Sequence, residues 1–295
     1  MLVSIIIPVH QTHDYFKSCV ESALAQTYTN LEIIVACNGE LTLQQCQNFL
    51  NIADTRLVFI KTSKGRHSAR NEALKVTKGS WIQFLDYDDY LFPYKIEEQL
   101  ISIVKSIGTG LSICQWKKFT ERIDEHYTFP FQDLYNESQI SAGQLVQKLG
   151  QSGGFIATAS WLVSKELLTG SRWIDSPNDD AVFLSEILKK SPEIIMSPKV
   201  LAGYRIHDSN TSSIRSKEEF DKLMHSWRII HQNLLIFKET QINLYLYKAY
   251  LNLIRYSKQI NKYRIIEVIY NCLNFGFKAR VGFLMYKDFK RYLLK

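Results

Sequence analysis

Short apolar runs and amphipathic stretches alternate along the first hundred residues, and this alternation predicts both the type and the order of the elements. Residues 2–7 form an unbroken apolar, β-branched run that reads as a buried strand. Residues 14–26 follow with Phe16, Cys19, Val20, Ala23 and Leu24 on one helical face. The same logic predicts strands at 31–36, 56–60 and 80–85, and helices at 41–52 and 68–76. Such alternation means an α/β fold with a mostly parallel central sheet and helices on both faces. Further on, residues 93–107 read as a helix, 111–118 as a strand containing Trp116, and Gln151-Ser152-Gly153-Gly154 as a flexible turn that could line or gate a site. From 217 to about 275 the pattern is helical with almost no Gly or Pro, which predicts two or three helices.

In sheets of this kind ligands bind in the crevice outside the carboxyl ends of the strands. Pro8, Val9 and His10, then Asn38 and Gly39, then Asp86, Tyr87 and Asp88 all follow predicted strand ends, so they are expected to converge. The last group is the most informative, because the apolar run 81–85 stops at three carboxylates, Asp86, Asp88 and Asp89. Carboxylates cost too much to bury unpaired, and two of them one residue apart on a loop can face a common Mg²⁺ or Mn²⁺. A solvated acidic turn before the helix near Pro93 satisfies the same pattern. A calcium loop does not, since the glycine wanted at its sixth position is missing. No Gly-x-Gly-x-x-Gly follows the first strand and no Gly-x-x-x-x-Gly-Lys-Ser/Thr occurs, so phosphates would be held by metal and basic side chains.

Composition narrows the class further. The five cysteines are odd in number, scattered and without a Cys-x-x-Cys pair, which argues against a disulfide framework or a zinc site and makes a reducing cytoplasm the simplest location. The N-terminus has no basic leader and its apolar run is broken at Pro8, so it reads as a first strand and not a signal peptide. No stretch approaches the length of a membrane span, and the acceptor patterns Asn136-Glu137-Ser138 and Asn210-Thr211-Ser212 carry little weight in a cytoplasmic chain. Of the formal charge of +7, residues 248–295 hold 11 Lys+Arg against 2 Asp+Glu, leaving the remainder at −2. In that tail basic residues alternate with Phe, Tyr, Leu and Met, a composition suited to an anionic membrane surface. A homo-oligomer contact or a helical cap fits it too, whereas no recognised nucleic-acid module accompanies it.

The stretches Ser4-Ile5-Ile6-Ile7-Pro8-Val9, Gln26 through Val35, Ser68-Ala69-Arg70-Asn71-Glu72-Ala73-Leu74 and Phe84-Leu85-Asp86-Tyr87-Asp88-Asp89, in that order, resemble the family 2 glycosyltransferases with a GT-A fold, of bacterial cell-surface polysaccharide type. The likeness continues more loosely through Ser160-Trp161, Asp179-Asp180-Ala181-Val182-Phe183 and Tyr204-Arg205-Ile206-His207. It implies a catalytic domain over 1–215, with a nucleotide-sugar half (1–110) and an acceptor half (111–215); beyond that the resemblance gives out, and the helical pattern alone predicts an extension over 216–295.

By position, the resemblance implies that Asp86 and Asp88 hold a divalent metal on the donor diphosphate, with Arg70 near the pyrophosphate and Lys64, Arg66 and His67 as helpers. It implies that Asp180 is the general base of an inverting transfer, that His207 lies close to the metal, and that Trp161 and Asp179 face the acceptor. Each has a plainer alternative: a helix-start charge for Arg70, a core tryptophan, a hydrogen-bonded histidine. Asp179 is expected to cap the helix that Asn178-Asp179-Asp180 begins. One departure stands out. Where many members have Val-Asp-Asp-Gly-Ser, with an Asp reading the uracil ring, this chain has Ala36-Cys37-Asn38-Gly39-Glu40. Asn38 is then the residue expected to meet the base through its amide. The expected activity is metal-dependent transfer of a sugar from a UDP-sugar to a saccharide or glycolipid acceptor. The alternatives are a non-catalytic sugar-binding or assembly module and, since Pro8-Val9-His10-Gln11 is no Gly- and Arg-rich loop, less favourably a sugar-phosphate nucleotidyltransferase.

Overall fold

The computed structural model describes residues 1–105, 110–127, 131–152, 154–207, 214–260 and 262–293. The pattern Asn210-Thr211-Ser212 and Gly153 lie outside the described residues. In chain order the elements are β1 (Val3–Val9), α1 (Asp14–Leu24), β2 (Leu31–Cys37), α2 (Leu43–Leu50), β3 (Leu57–Lys61), α3 (Arg66–Val76), β4 (Trp81–Phe84), β5 (Tyr90–Leu91), α4 (Lys95–Lys105), β6 (Leu111–Phe119) and β7 (Gln139–Ser141). They continue with α5 (Ala142–Ser152), β8 (Trp161–Ser164), α6 (Asp179–Leu188), β9 (Glu193–Arg205), α7 (Lys217–Leu234), α8 (Glu239–Gln259), α9 (Ile265–Lys278) and α10 (Phe283–Leu293).

The strands form one sheet in the order β3-β2-β1-β4-β8-β6-β9-β5, with β7 also on β9. The first four are parallel, as the alternation predicts, and every residue of β1 is buried. Because parallel crossovers are right-handed, α1 and α2 cover one face while α3, returning from β3 to β4, covers the other. Beyond β4 the sheet is mixed: β8 runs antiparallel to β4 and β6, β9 parallel to β6 with irregular register near Gln115, and β5 antiparallel to β9. This is the GT-A, α/β architecture that the sequence implies.

At the amino end of the sheet, β1 and the turn before β4 approach too closely for a side chain. A Cβ on Gly79 would lie 2.6 Å from the Ser4 backbone nitrogen and 2.9 Å from the Leu2 carbonyl oxygen. Glycine is therefore required there, and its N–H donates to Ser4 Oγ at 2.9 Å and to Glu32 Oε1 at 3.1 Å.

The chain divides into two compact units, and the division is not at 215. Residues 1–140, 156–174 and 192–209 make the sheet unit; 141–155, 175–191 and 210–295 make the helical unit. The expected boundary is thus corrected by packing: α5 packs on α8 and α6 on α7, so two helices from the middle of the chain belong with the C-terminal ones. The core of the helical unit is built from Phe220, Met224, Leu246, Ile254, Val268, Cys272 and Phe275, all buried. Gln151 and Ser152, expected in a turn, form the last turn of α5.

A polar seam runs beneath the sheet unit's crevice. Lys95, at the start of α4, is fully buried and donates to the Gln83 side-chain oxygen and, at 2.8 Å, to the Trp161 carbonyl. Gln99, one turn on, donates to Ser112 Oγ and the Ser160 carbonyl, each at 3.1 Å. Burial pushes the Lys95 ammonium down to about 7, since a charged amine loses its hydration there. Between that value and the ordinary lysine range the unfolded chain holds a proton that the folded chain lacks, so stability contributed by Lys95 rises with pH across this window. Melting temperatures of the parent and Lys95→Met, taken from about pH 6.5 to about pH 9.5, should therefore show the parent gaining on the variant as pH rises. A difference independent of pH would mean that the amine stays charged in the folded protein.

Candidate donor site and candidate base

β4 ends where Leu85 still donates to the Ile6 carbonyl, and the chain then turns, with the Asp89 N–H donating to the Asp86 carbonyl at 3.0 Å. That turn places three carboxylates at the carboxyl end of the parallel strands. Each has a different partner, drawn from α3 or from the end of β9. Asp86 pairs with the guanidinium of Arg70 on α3. Asp88 Oδ2 lies 2.8 Å from His207 Nε2, two residues past β9. Asp89 is buried and accepts the Arg205 backbone N–H at 3.0 Å.

Arg70 is held as rigidly as a core residue. Its side chain is 2% exposed and its guanidinium lies 4.3 Å from the centroid of the Trp173 ring, which stacks at 13° on Trp161. Asn71 pins Trp173 by both backbone groups, accepting its N–H at 3.0 Å and donating to its carbonyl at 2.8 Å. Arg70 is therefore no surface helix-start charge. Trp161, expected as an acceptor platform, is buried in this stack instead, because its indole is needed to support Trp173.

Arg205 performs the matching task on the other side. Its guanidinium sits between the rings of Tyr15 and Phe119, 4.2 and 4.3 Å from their centroids. From there Nε donates to the Asp88 carbonyl at 2.9 Å and Nη1 to the Thr120 carbonyl at 2.7 Å. Tyr15 in turn leans on the His207 ring, with centroids 5.4 Å apart. On the crevice rim Tyr87 meets His10 edge-on at 5.2 Å and accepts from Gln11 Nε2 at 3.0 Å. Pro8 and Val9 are buried beneath them.

The electrostatics all run one way. Burial, then the charge of Asp86, raises the Asp88 carboxyl against the opposing pull of His207. Burial with Asp88 and Asp86 raises Asp89 well above the usual carboxylate range, and burial followed by Asp88 raises the Tyr87 phenol. Desolvation lowers His10 despite Asp88. A site in which negative charge is this crowded gains most from a cation. The donor set, carboxylate oxygens with one imidazole, is hard and fits Mg²⁺ or Mn²⁺. Among the described residues no three His, Cys, Asp or Glu side chains gather into a complete cage. Such ions commonly take one or two carboxylates and complete their shell with substrate phosphates and water.

Asn38 does not present its amide to the crevice. Nδ2 donates to the Val9 carbonyl at 3.0 Å and Oδ1 accepts the Gly65 N–H at 3.3 Å, so it ties the ends of β1 and β2 to the start of α3. Cys37 is buried with its sulfur 2.6 Å from that of Cys46 on α2. Lys61 braces the following loop through the Gly39 and Leu41 carbonyls, at 2.6 and 2.8 Å.

In the helical unit the N-cap of α6 is Asn178, not Asp179. Asn178 Oδ1 accepts the hydroxyls of Ser176 and Ser226, which fixes it at the turn before the helix. Asp179 becomes the first helical residue and is buried, and Asp180, half-buried, occupies the second position. Its Oδ1 accepts the Ala181 N–H at 2.7 Å and its charge adds to burial in raising the Tyr245 phenol. An ionised carboxylate is favoured in the first turn of a helix by the dipole and the free N–H groups.

Residues that sequence reasoning did not single out include Trp173, Asn71, Lys95 and Arg205. Arg205 stands within the quoted Tyr204-Arg205-Ile206-His207 stretch, and Asp89 within the acidic turn. Trp173 has no local signal.

Three comparisons bear on this arrangement. The model of the family described as "Glycosyl transferase family 2" matches residues 4–168, more than half of the chain, and ends before Asp180 and His207. The chain is 46% identical over 101 residues to the Escherichia coli UDP-Glc:alpha-D-GlcNAc-diphosphoundecaprenol beta-1,3-glucosyltransferase WfaP, covering 34% of this chain and 40% of that protein. It is 26% identical over 266 residues to an uncharacterized glycosyltransferase of Haemophilus influenzae, covering 87% and 98%. Among solved structures, S. aureus TarS 1-349 superposes with a TM-score of 0.67 at 14% identity, covering 99% of this chain and 92% of that one, a likeness of fold. With its sheet order, its acidic strand end and the family match in agreement, the chain belongs to glycosyl transferase family 2.

Proposed function

We propose that the chain is an inverting, metal-dependent glycosyltransferase. It moves a sugar from a UDP-sugar to a saccharide carried on a lipid, at the anionic membrane surface where such an acceptor resides. The observation that carries this reading is the pairing of Asp86 and Asp88 with Arg70 and His207 at the carboxyl end of β4 in a family 2 chain. Support for the donor comes from TarS 1-349, solved in complex with UDP-GlcNAc and with UDP. Support for donor and acceptor class comes from WfaP, whose name specifies UDP-Glc and a diphosphoundecaprenol-linked sugar.

In this mechanism Asp88, Asp86 and His207 would hold Mn²⁺ or Mg²⁺, whose charge would stabilise the departing diphosphate. Arg70, already desolvated and fixed on Trp173, offers a permanent positive charge to the pyrophosphate. Arg205 keeps the Asp88 peptide still while that charge develops. Asp180 accepts the proton of the attacking acceptor hydroxyl as the new glycosidic bond forms and the bond to the diphosphate breaks, with inversion at the anomeric carbon. Cys37 cannot replace a base-reading carboxylate and Asn38 spends its amide on backbone, which is the observation favouring a non-catalytic sugar-binding module as the second reading.

The purified protein, incubated with a panel of UDP- and other nucleotide sugars with Mn²⁺, Mg²⁺ or EDTA, should release nucleotide slowly from one UDP-sugar. Release should vanish with EDTA and in Asp88→Ala. A non-UDP donor, or release indifferent to EDTA, would overturn that part of the reading. Asp180→Asn should lower turnover by about a hundredfold or more while leaving UDP affinity unchanged. Equal turnover in that variant would remove Asp180 from the chemistry, and a protein that binds nucleotide sugar but never releases nucleotide, with any lipid-linked acceptor, is the binding module.

A further inference from the structure

The helices α9 and α10 each carry two apolar faces, and only one is used by the fold. The inward face of α9 buries Val268, Cys272 and Phe275 against α8, and α10 seats Met285 and Phe289 on the same cluster. The opposite side of α9 carries Ile266, Tyr270 and Phe277, at helical positions i, i+4 and i+11, with exposures of 82%, 69% and 69%. On α10 the outward residues are Phe283, Leu284 and Tyr286, with the first and last stacked on one another at 5.8 Å. Exposed aromatic and aliphatic side chains in such register are not leftovers of core packing, because the core is complete without them. No helix of the described residues is long and apolar enough to cross a membrane.

The charges on this segment are mostly of one sign, although Lys278 lies 3.8 Å from Glu239 at the start of α8. Between residues 262 and 293 there are seven lysines and arginines, and the only acids are Glu267 and Asp288. Both acids are turned to internal partners: Glu267 pairs with Arg228 and Arg264, and Asp288 Oδ2 accepts the Tyr247 hydroxyl at 2.9 Å. Lys287 stands 5.3 Å from the Phe283 ring centroid, and Lys278, Arg280, Lys290 and Arg291 are exposed alongside. The α9–α10 turn is tightened by Arg280 and Gly282, both at positive φ, and by the Val281 N–H donating to the Gly276 carbonyl at 3.2 Å. Its basic residues are therefore held on a defined corner.

We propose that the outward face of α9 and α10 docks on an anionic lipid bilayer, with Ile266, Tyr270, Phe277, Phe283, Leu284 and Tyr286 at the headgroup–acyl boundary and the lysines and arginines on lipid phosphates. Aromatic and aliphatic side chains flanked by bases are the chemistry an interfacial helix needs. A second copy of the chain is the poorer occupant, since a two-fold contact through this face would set bases against bases. The inference deepens the reading of a lipid-linked acceptor by naming the surface that would bring the enzyme to it. It is separable from that reading, because binding is measured with no donor, metal or acceptor present.

The test is co-sedimentation of the full chain with vesicles of phosphatidylcholine alone or phosphatidylcholine with phosphatidylglycerol. The protein should partition onto the phosphatidylglycerol vesicles, release as salt is raised, and stay in solution with phosphatidylcholine alone. Joint substitution Lys287→Gln, Lys290→Gln and Arg291→Gln should weaken partition by about a hundredfold, at about fivefold for each base removed. Joint Ile266→Ser, Tyr270→Ser and Phe277→Ser should weaken it without altering the circular dichroism spectrum. The proposal fails if phosphatidylglycerol vesicles leave the protein in the supernatant or if both variants sediment like the parent. It fails equally if light scattering finds a dimer that the serine variant dissolves.

Discussion

Three carboxylates cannot share one strand end in a protein interior unless each is answered, and much of the sheet unit is arranged around that requirement. Asp86, Asp88 and Asp89 draw their partners from α3, from the segment after β9 and from the last residue of β9. The partners are themselves held by aromatic rings: Arg70 against Trp173, Arg205 between Tyr15 and Phe119, and His207 beside Tyr15. Charge at the crevice is thus anchored in stacked apolar surface. The acidic turn stays poised and crowded, with the Asp88 carboxyl raised even in the presence of His207. Breaking one of these pairs would leave an uncompensated charge, a far larger cost than the pair itself is worth.

The polar seam under the crevice follows the same logic at lower stakes. Gln83, Lys95, Gln99 and Ser112 lie on three different elements, and their hydrogen bonds fix β4 to α4 and to the segment before β8. A purely apolar packing would permit small slips of α4 along the sheet. Directional bonds specify one register, and α4 is joined to the loop that carries the carboxylates by the short β5.

Local pattern made the first half of the fold legible. β1 to β4 are short apolar runs and α1 to α3 amphipathic stretches, distinct enough to give their order, and the parallel pairing follows from the alternation alone. Asp86 and Asp88 were visible for the same reason, as an abrupt end to an apolar run. What sequence could not supply was partnership at long range. Arg70 looks like an ordinary helix-start base until Trp173, a hundred residues later, is stacked on it. Trp161 offered the same indole to two opposite expectations, and only burial separates them. Asn38 carried the correct chemistry for reading a base, yet its amide closes the gap between β1, β2 and α3. The domain boundary fell elsewhere because α5 and α6 look, residue by residue, like any helix of an α/β domain, while their packing partners are the C-terminal helices.

The place of β8 in the sheet carries a consequence for how the chain is made. β4 gains its second neighbour only when Trp81 and Ile82 pair with Ser164 and Val163, some eighty residues downstream. While a ribosome is still producing the stretch between them, the growing polypeptide presents β4 as an open strand edge, apolar except for Gln83, the kind of template on which nascent chains join one another. Asn71 likewise waits for Trp173. The family's matched segment, residues 4–168, includes β8 but stops short of the Trp173 ring on which Arg70 rests, and a fragment ending near residue 105 would carry the acidic turn with β4 still open along one edge.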